Sequence, residues 1–130
     1  EGAFGDIAIS LFQCDAADIA IRSIQDDPMT ERPLHHDDDD GHIAIALLSR
    51  PGHDFTGGEL ILVEQRPRMQ SRAIVVPMEL GDIAIVPSGV RETTGTKGIY
   101  RVIVRRATGC VLSGTRHALE ARMIRPSRSP

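Results

Sequence analysis

The chain has 130 residues, a formal net charge of −3, 41% hydrophobic residues and 25% charged residues. That length supports one domain with a sizeable core, and that balance excludes a disordered segment. The basic residues are scattered until they gather near the C-terminus, and the chain has one tyrosine and no tryptophan. Neither a broad basic face nor a stacking platform for bases follows, so no nucleic-acid partner is expected.

No apolar run approaches the roughly 18 residues that a membrane span needs. No signal peptide is legible at the N-terminus. Cys14 and Cys110 do not make a disulfide framework, so both are expected to be packing residues in a reducing, cytoplasmic setting.

Residues 1–32 carry the weakest local signals. Asp6-Ile7-Ala8-Ile9 and Asp18-Ile19-Ala20-Ile21-Arg22-Ser23-Ile24 read as strands by β-branching, and Ala16-Ala17 between them leans toward a helix. Asp26-Asp27-Pro28 is a turn signal.

The stretch Pro33-Leu34-His35-His36-Asp37-Asp38-Asp39-Asp40-Gly41-His42 is unlike any core segment. On an extended strand, residues i and i+2 point to the same face. His35 and Asp37 can therefore offer an imidazole nitrogen and a carboxylate oxygen to one cation, two of the three ligands of a 2-His-1-carboxylate iron site. His36 and Asp38 have the same spacing. The aspartate run also reads as a solvated, self-repelling loop. It lacks the glycine and glutamate spacing of a calcium-binding EF-hand.

Beyond Gly41 the punctuation is clear. Residues 43–48, 59–63, 73–77, 83–86 and 99–104 are short β-type runs, parted by Pro51-Gly52, Pro67, Gly81, Pro87-Ser88-Gly89 and Gly95-Thr96-Lys97-Gly98. Strands at this spacing, with glycine and proline turns, predict an antiparallel sandwich or barrel. Ala118-Leu119-Glu120-Ala121-Arg122-Met123 predicts a short helix, and Pro126–Pro130 a frayed end. The expected division is an N-terminal segment over 1–32, a β domain over 33–122 and a tail over 123–130. No phosphate-binding glycine loop and no nucleophile elbow is present.

In order, His35-x-Asp37, Phe55-Thr56-Gly57-Gly58-Glu59-Leu60, Val76-Pro77 with Gly81-Asp82, and Gly95-x-x-Gly98-x-Tyr100-Arg101-Val102 resemble the catalytic domain of 2-oxoglutarate/Fe(II)-dependent dioxygenases of the prolyl-hydroxylase type. The stretch from Leu47 to Ala73 looks closer still to a bacterial branch of that family. The resemblance covers residues 33–120. It implies an all-β fold with minor α, a double-stranded β-helix or jelly roll.

It also implies Fe(II) on His35 and Asp37, with 2-oxoglutarate as co-substrate and its far carboxylate on Arg101. The implied activity is hydroxylation of an unidentified substrate, with succinate as the second product. Arg105 and Lys97 are weaker choices for the carboxylate. His35 follows the bulky Leu34, as the iron histidine of the family does, which favours the His35/Asp37 register.

One departure stands out. Where the resemblance places a second iron histidine, this chain has Gly89-Val90-Arg91. His36, His42 and His53 remain as candidates for a third ligand. The alternative is a jelly roll that has lost its metal triad and binds a ligand or partner without catalysis.

Overall fold

The computed structural model describes residues 18–37 and 41–124, and every regular element among them is a β-strand. In chain order these are β1 (Asp18–Asp26), β2 (Arg32–His35), β3 (His42–Leu47), β4 (Phe55–Gly57), β5 (Leu60–Gln65) and β6 (Arg72–Val76). They continue as β7 (Ile83–Pro87), β8 (Val90–Gly95), β9 (Gly98–Thr108), β10 (Val111–Gly114) and β11 (Arg116–Ile124).

Two antiparallel sheets are wound together. One has the order β1-β11-β3-β7, the other β2-β9-β5-β6, and β8 pairs with the first half of β9. As the chain advances it passes from one sheet to the other and back, which makes this a double-stranded β-helix, or jelly roll. The expected strands correspond to β3, β5, β6, β7 and β9, and β1 joins the first sheet beside β11.

The sheets form because their strands alternate. In β3 the side chains of Ile43, Ile45 and Leu47 are buried, while Ala44 and Ala46 sit half-buried on the other face. Ile43 and Ile45 of β3 meet Val86 of β7 and Leu60 of β5, so the two layers share one apolar interior. Burying each such aliphatic side chain stabilises the fold by about 1.5–3 kcal/mol.

A second cluster of Leu47, Phe55 and Val111 packs where the small β4–β10 pair closes one end. Gly57 has φ +73 there, and a Cβ on it would overlap the carbonyl oxygen of Cys110. Glycine is the residue that tolerates both conditions.

The expected C-terminal helix is corrected: residues 118–123 lie within strand β11, paired with β1 on one side and β3 on the other. Their helix propensity yields to tertiary pairing. The inward residues of β11 are Arg116, Ala118, Glu120 and Arg122, so the period of two is present but its polarity is inverted. The minor α content is therefore not seen among the described residues. No helix there is long and apolar enough to cross a membrane. Asp6–Ile9, Cys14, Ala16-Ala17, Asp38 and Pro126–Pro130 lie outside the described residues.

Candidate functional site

Strand β9 has two neighbours along one edge. β2 pairs with its end, where Arg32 is opposite Thr108 and His35 opposite Arg106. β8 pairs with its beginning, from Val90 opposite Ile103 onward. Residues 36–37 lie where these two partners meet. The Asp37 N–H donates to the Ser88 carbonyl at 2.8 Å, and the Val104 N–H donates to the Gly89 carbonyl at 2.7 Å. Gly89 is buried, and a Cβ on it would fall on the Asp37 carbonyl oxygen. The place expected to hold a second iron histidine thus adjoins Asp37, yet its first residue has no room for a side chain.

His35 ends β2 with an exposed ring whose Nδ1 lies 3.0 Å from the Pro33 carbonyl. Asp37 is engaged from two sides. Its Oδ2 accepts from Arg106 Nη2 at 3.2 Å and from Arg122 Nη2 at 2.8 Å. Arg106 also donates from Nη1 to the Ser88 carbonyl at 2.9 Å. Only 5% of Arg106 is exposed. It follows Val102 and Val104 on the inward side of β9 by the strand's period of two.

His35 and Arg106 line, from one sheet, a cavity of about 310 Å³ between the sheets, which Ile24, Ile45 and Arg116 line from the other. At its other end, Arg116 Nη1 donates to Asp26 Oδ2 at 3.1 Å, with both side chains at most 5% exposed. Arg32 Nε reaches the other oxygen of Asp26 at 2.7 Å. Burial pushes the Arg116 guanidinium below its ordinary value, and Asp26 opposes that shift. Among the described residues, every buried side-chain N or O atom has a hydrogen-bond partner. Arg32 and Arg116 bond Asp26 through one nitrogen each, and both line the cavity together with Glu31 and Glu120.

Arg101 is elsewhere. It is exposed on β9 opposite Glu92, on the side shared with Ile103 and Arg105 rather than with Val102, Val104 and Arg106. Strand parity therefore keeps it out of the cavity holding His35. Arg105 shares that outer side and donates to the Gln65 side chain at 2.9 Å. Lys97 is exposed in the turn between β8 and β9.

The histidines considered as a third ligand are dispersed. His36 is half-buried with Nδ1 3.1 Å from the Asp37 carbonyl, His42 is exposed at the start of β3, and His53 pairs with Asp54 in an exposed loop. Among the described residues, no three His, Cys, Asp or Glu side chains are grouped to hold a metal. An iron(II) ion does not fit this arrangement. Asp37, the carboxylate read as the partner of His35, already faces two guanidinium cations, and the residue opposite His35 on β9 is itself one of them.

Residues 34–124 match the family model Oxygenase-NA, described as an oxygenase catalysing oxidative methylation of damaged DNA. The chain belongs to the Oxygenase-NA family. It is an oxygenase-like jelly-roll domain. Two proteins of Mycobacterium tuberculosis, from strains CDC 1551 / Oshkosh and ATCC 25618 / H37Rv and both called uncharacterised, are 36% identical to it over 75 residues. That match spans 58% of this chain and 32% of each relative, so the aligned part is about a third of their length. Among solved structures, an RmlC-like cupin protein from Desulfovibrio desulfuricans aligns with TM-score 0.47 and 15% identity, over 87% of this chain and 76% of that one.

Against this family background, Arg106, Arg116, Arg122 and Asp26 are what the sequence reading missed. Arg105-Arg106 passes for a solubilising pair. Its signal lay in the spacing Val102-x-Val104-x-Arg106, which carries an inward face straight onto an arginine.

Proposed function

We propose that this member of the Oxygenase-NA family is a jelly roll that binds a small organic anion and performs no iron chemistry. The observation that carries this reading is Asp37, whose Oδ2 is held by both Arg106 and Arg122. A carboxylate so engaged is a poor ligand for a divalent cation, because the metal would displace one guanidinium and stand beside the other.

The cavity supports the other half of the reading. At about 310 Å³ it lies at the lower end of small-molecule sites. Arginine forks suit carboxylates, since two parallel N–H donors meet two oxygens. A dicarboxylate such as 2-oxoglutarate would meet Arg32 and Arg116 there, not Arg101. His35 and Arg106 would border it, and Ile24, Ile45 and Leu60 would pack on its carbon chain.

On this reading the family's activity on damaged DNA is not carried out by this domain, and Fe(II) is not its cofactor. The test is thermal unfolding with 2-oxoglutarate or succinate, each with and without Fe(II) under anaerobic conditions. Either acid alone is expected to raise the melting point, since a ligand at a hundredfold excess over its Kd adds about 2.7 kcal/mol. Binding that requires Fe(II), a charge-transfer band on adding 2-oxoglutarate, or succinate formed in air would refute the reading.

A further inference from the structure

The side chain that joins His35 and Asp37 as a third member is not one from residues 89–91, where a second iron histidine was expected, but Arg106. His35 and Arg106 are opposite each other in the β2–β9 register. Directly opposed residues on antiparallel strands point to the same face, with Cβ atoms about 4.5–5.5 Å apart. Asp37 is joined to Arg106 at 3.2 Å. His35 is also oriented as a metal histidine would be: its Nδ1 is 3.0 Å from the Pro33 carbonyl. An Nδ1–H donated to that carbonyl leaves Nε2 as the ligand atom, the second partner that metal-bound imidazoles ordinarily have.

We propose that the Arg106 guanidinium is a built-in substitute for a metal ion. It supplies the positive charge that Asp37 needs and ties β2, through Asp37, to the Ser88 carbonyl. The site is consequently one residue short of a 2-His-1-carboxylate centre, and that residue is 106. This rests on the metal-free reading above and adds to it the single position that decides the matter. Arg122 is the secondary barrier, because its guanidinium also holds Asp37.

The experiment is cobalt(II) titration of the purified full chain, read by visible absorption and by equilibrium dialysis. Arg106→His is expected to bind one equivalent of Co(II) where the unaltered chain binds none. Adding Arg122→Gln should tighten binding by roughly tenfold, the scale of effects from groups around a metal's ligands. Adding Asp37→Asn to Arg106→His should abolish it. If neither histidine variant binds Co(II) while both are folded by circular dichroism, the proposal is overturned, and the anion-binding reading stands untouched. If the unaltered chain binds Co(II) as tightly as Arg106→His, both are overturned.

If Arg106→His fails to fold alone, it is refolded with Zn(II) or with EDTA. Folding with zinc only supports the proposal, and no folding in either overturns it.

Discussion

Replacing Asp26 by asparagine removes a charge and almost no volume, which makes it a clean probe of the interior. Asp26 is 4% exposed and Arg116 3% exposed, so the substitution leaves a buried guanidinium without its counter-charge. Breaking a buried pair from one side costs about 3–5 kcal/mol. Arg32, whose side chain is 37% exposed, adds less than about 1 kcal/mol, because solvent screens it. Arg116 lines a cavity into which its side chain can relax, which places the expected loss at the lower end, about 3 kcal/mol. Against a typical stability of about 5–15 kcal/mol, that is a large fraction.

The assay is urea unfolding followed by far-UV circular dichroism, run as a double-mutant cycle with Arg116→Met. The double variant Asp26→Leu with Arg116→Met should recover most of the loss, because apolar replacement of a whole buried pair is often neutral or stabilising. A loss below about 1 kcal/mol for Asp26→Asn, or simple additivity in the cycle, would refute the claim that these two charges depend on each other.

Gly89→Ala should either unfold the domain or push residues 36–37 out of place, since its Cβ would overlap the Asp37 backbone; an unchanged melting point would contradict that contact. Arg101→Ala should change stability by no more than about 0.5 kcal/mol and leave carboxylate binding intact, whereas Arg116→Met should abolish binding; calorimetric titration with 2-oxoglutarate separates the two. Asp54 is held below the usual carboxylate range, first by the Arg50 N–H and then by His53. A group with a depressed folded pKa stabilises above its unfolded pKa and loses that contribution as pH falls through the folded value. Asp54→Asn should therefore lower stability at neutral pH, change little near pH 2 and so flatten the acid limb of the stability curve, as melting points from pH 2 to 7 would show.

The sequence made most strands of the roll legible because Ile43, Ile45, Leu60 and Val86 sit in runs bounded by glycine and proline. β11 was hidden by its inverted polarity: with Arg116, Glu120 and Arg122 turned inward, alternation survives while hydrophobicity gives no sign of it. β2 is short and contains Pro33, and its register is irregular between Arg32 and His35, so no pattern announces it.

At the site, His35 and Asp37 were read from their spacing; the structure puts His35 at the end of β2 and Asp37 just beyond it. Arg101 was read from the motif Gly98-x-Tyr100-Arg101, while Arg106 passed as half of a solubilising pair, and both sides of β9 carry aliphatic residues, Val102 and Val104 on one and Ile103 on the other. From one chain, that strand's inward parity is ambiguous. Pairing across 69 positions between Asp37 and Arg106 has no local signature at all.

The outermost pair of the first sheet has a further consequence. Asp18 stands opposite Ile124 in the β1–β11 ladder, so the first and last described residues are neighbours. A unit whose first and last strands are paired in this way can be set into a longer chain like a cassette. The same closeness means that a linker can bridge Asp18 and Ile124 and the ring be reopened at the exposed turn over residues 67–70, with the sheet order unchanged.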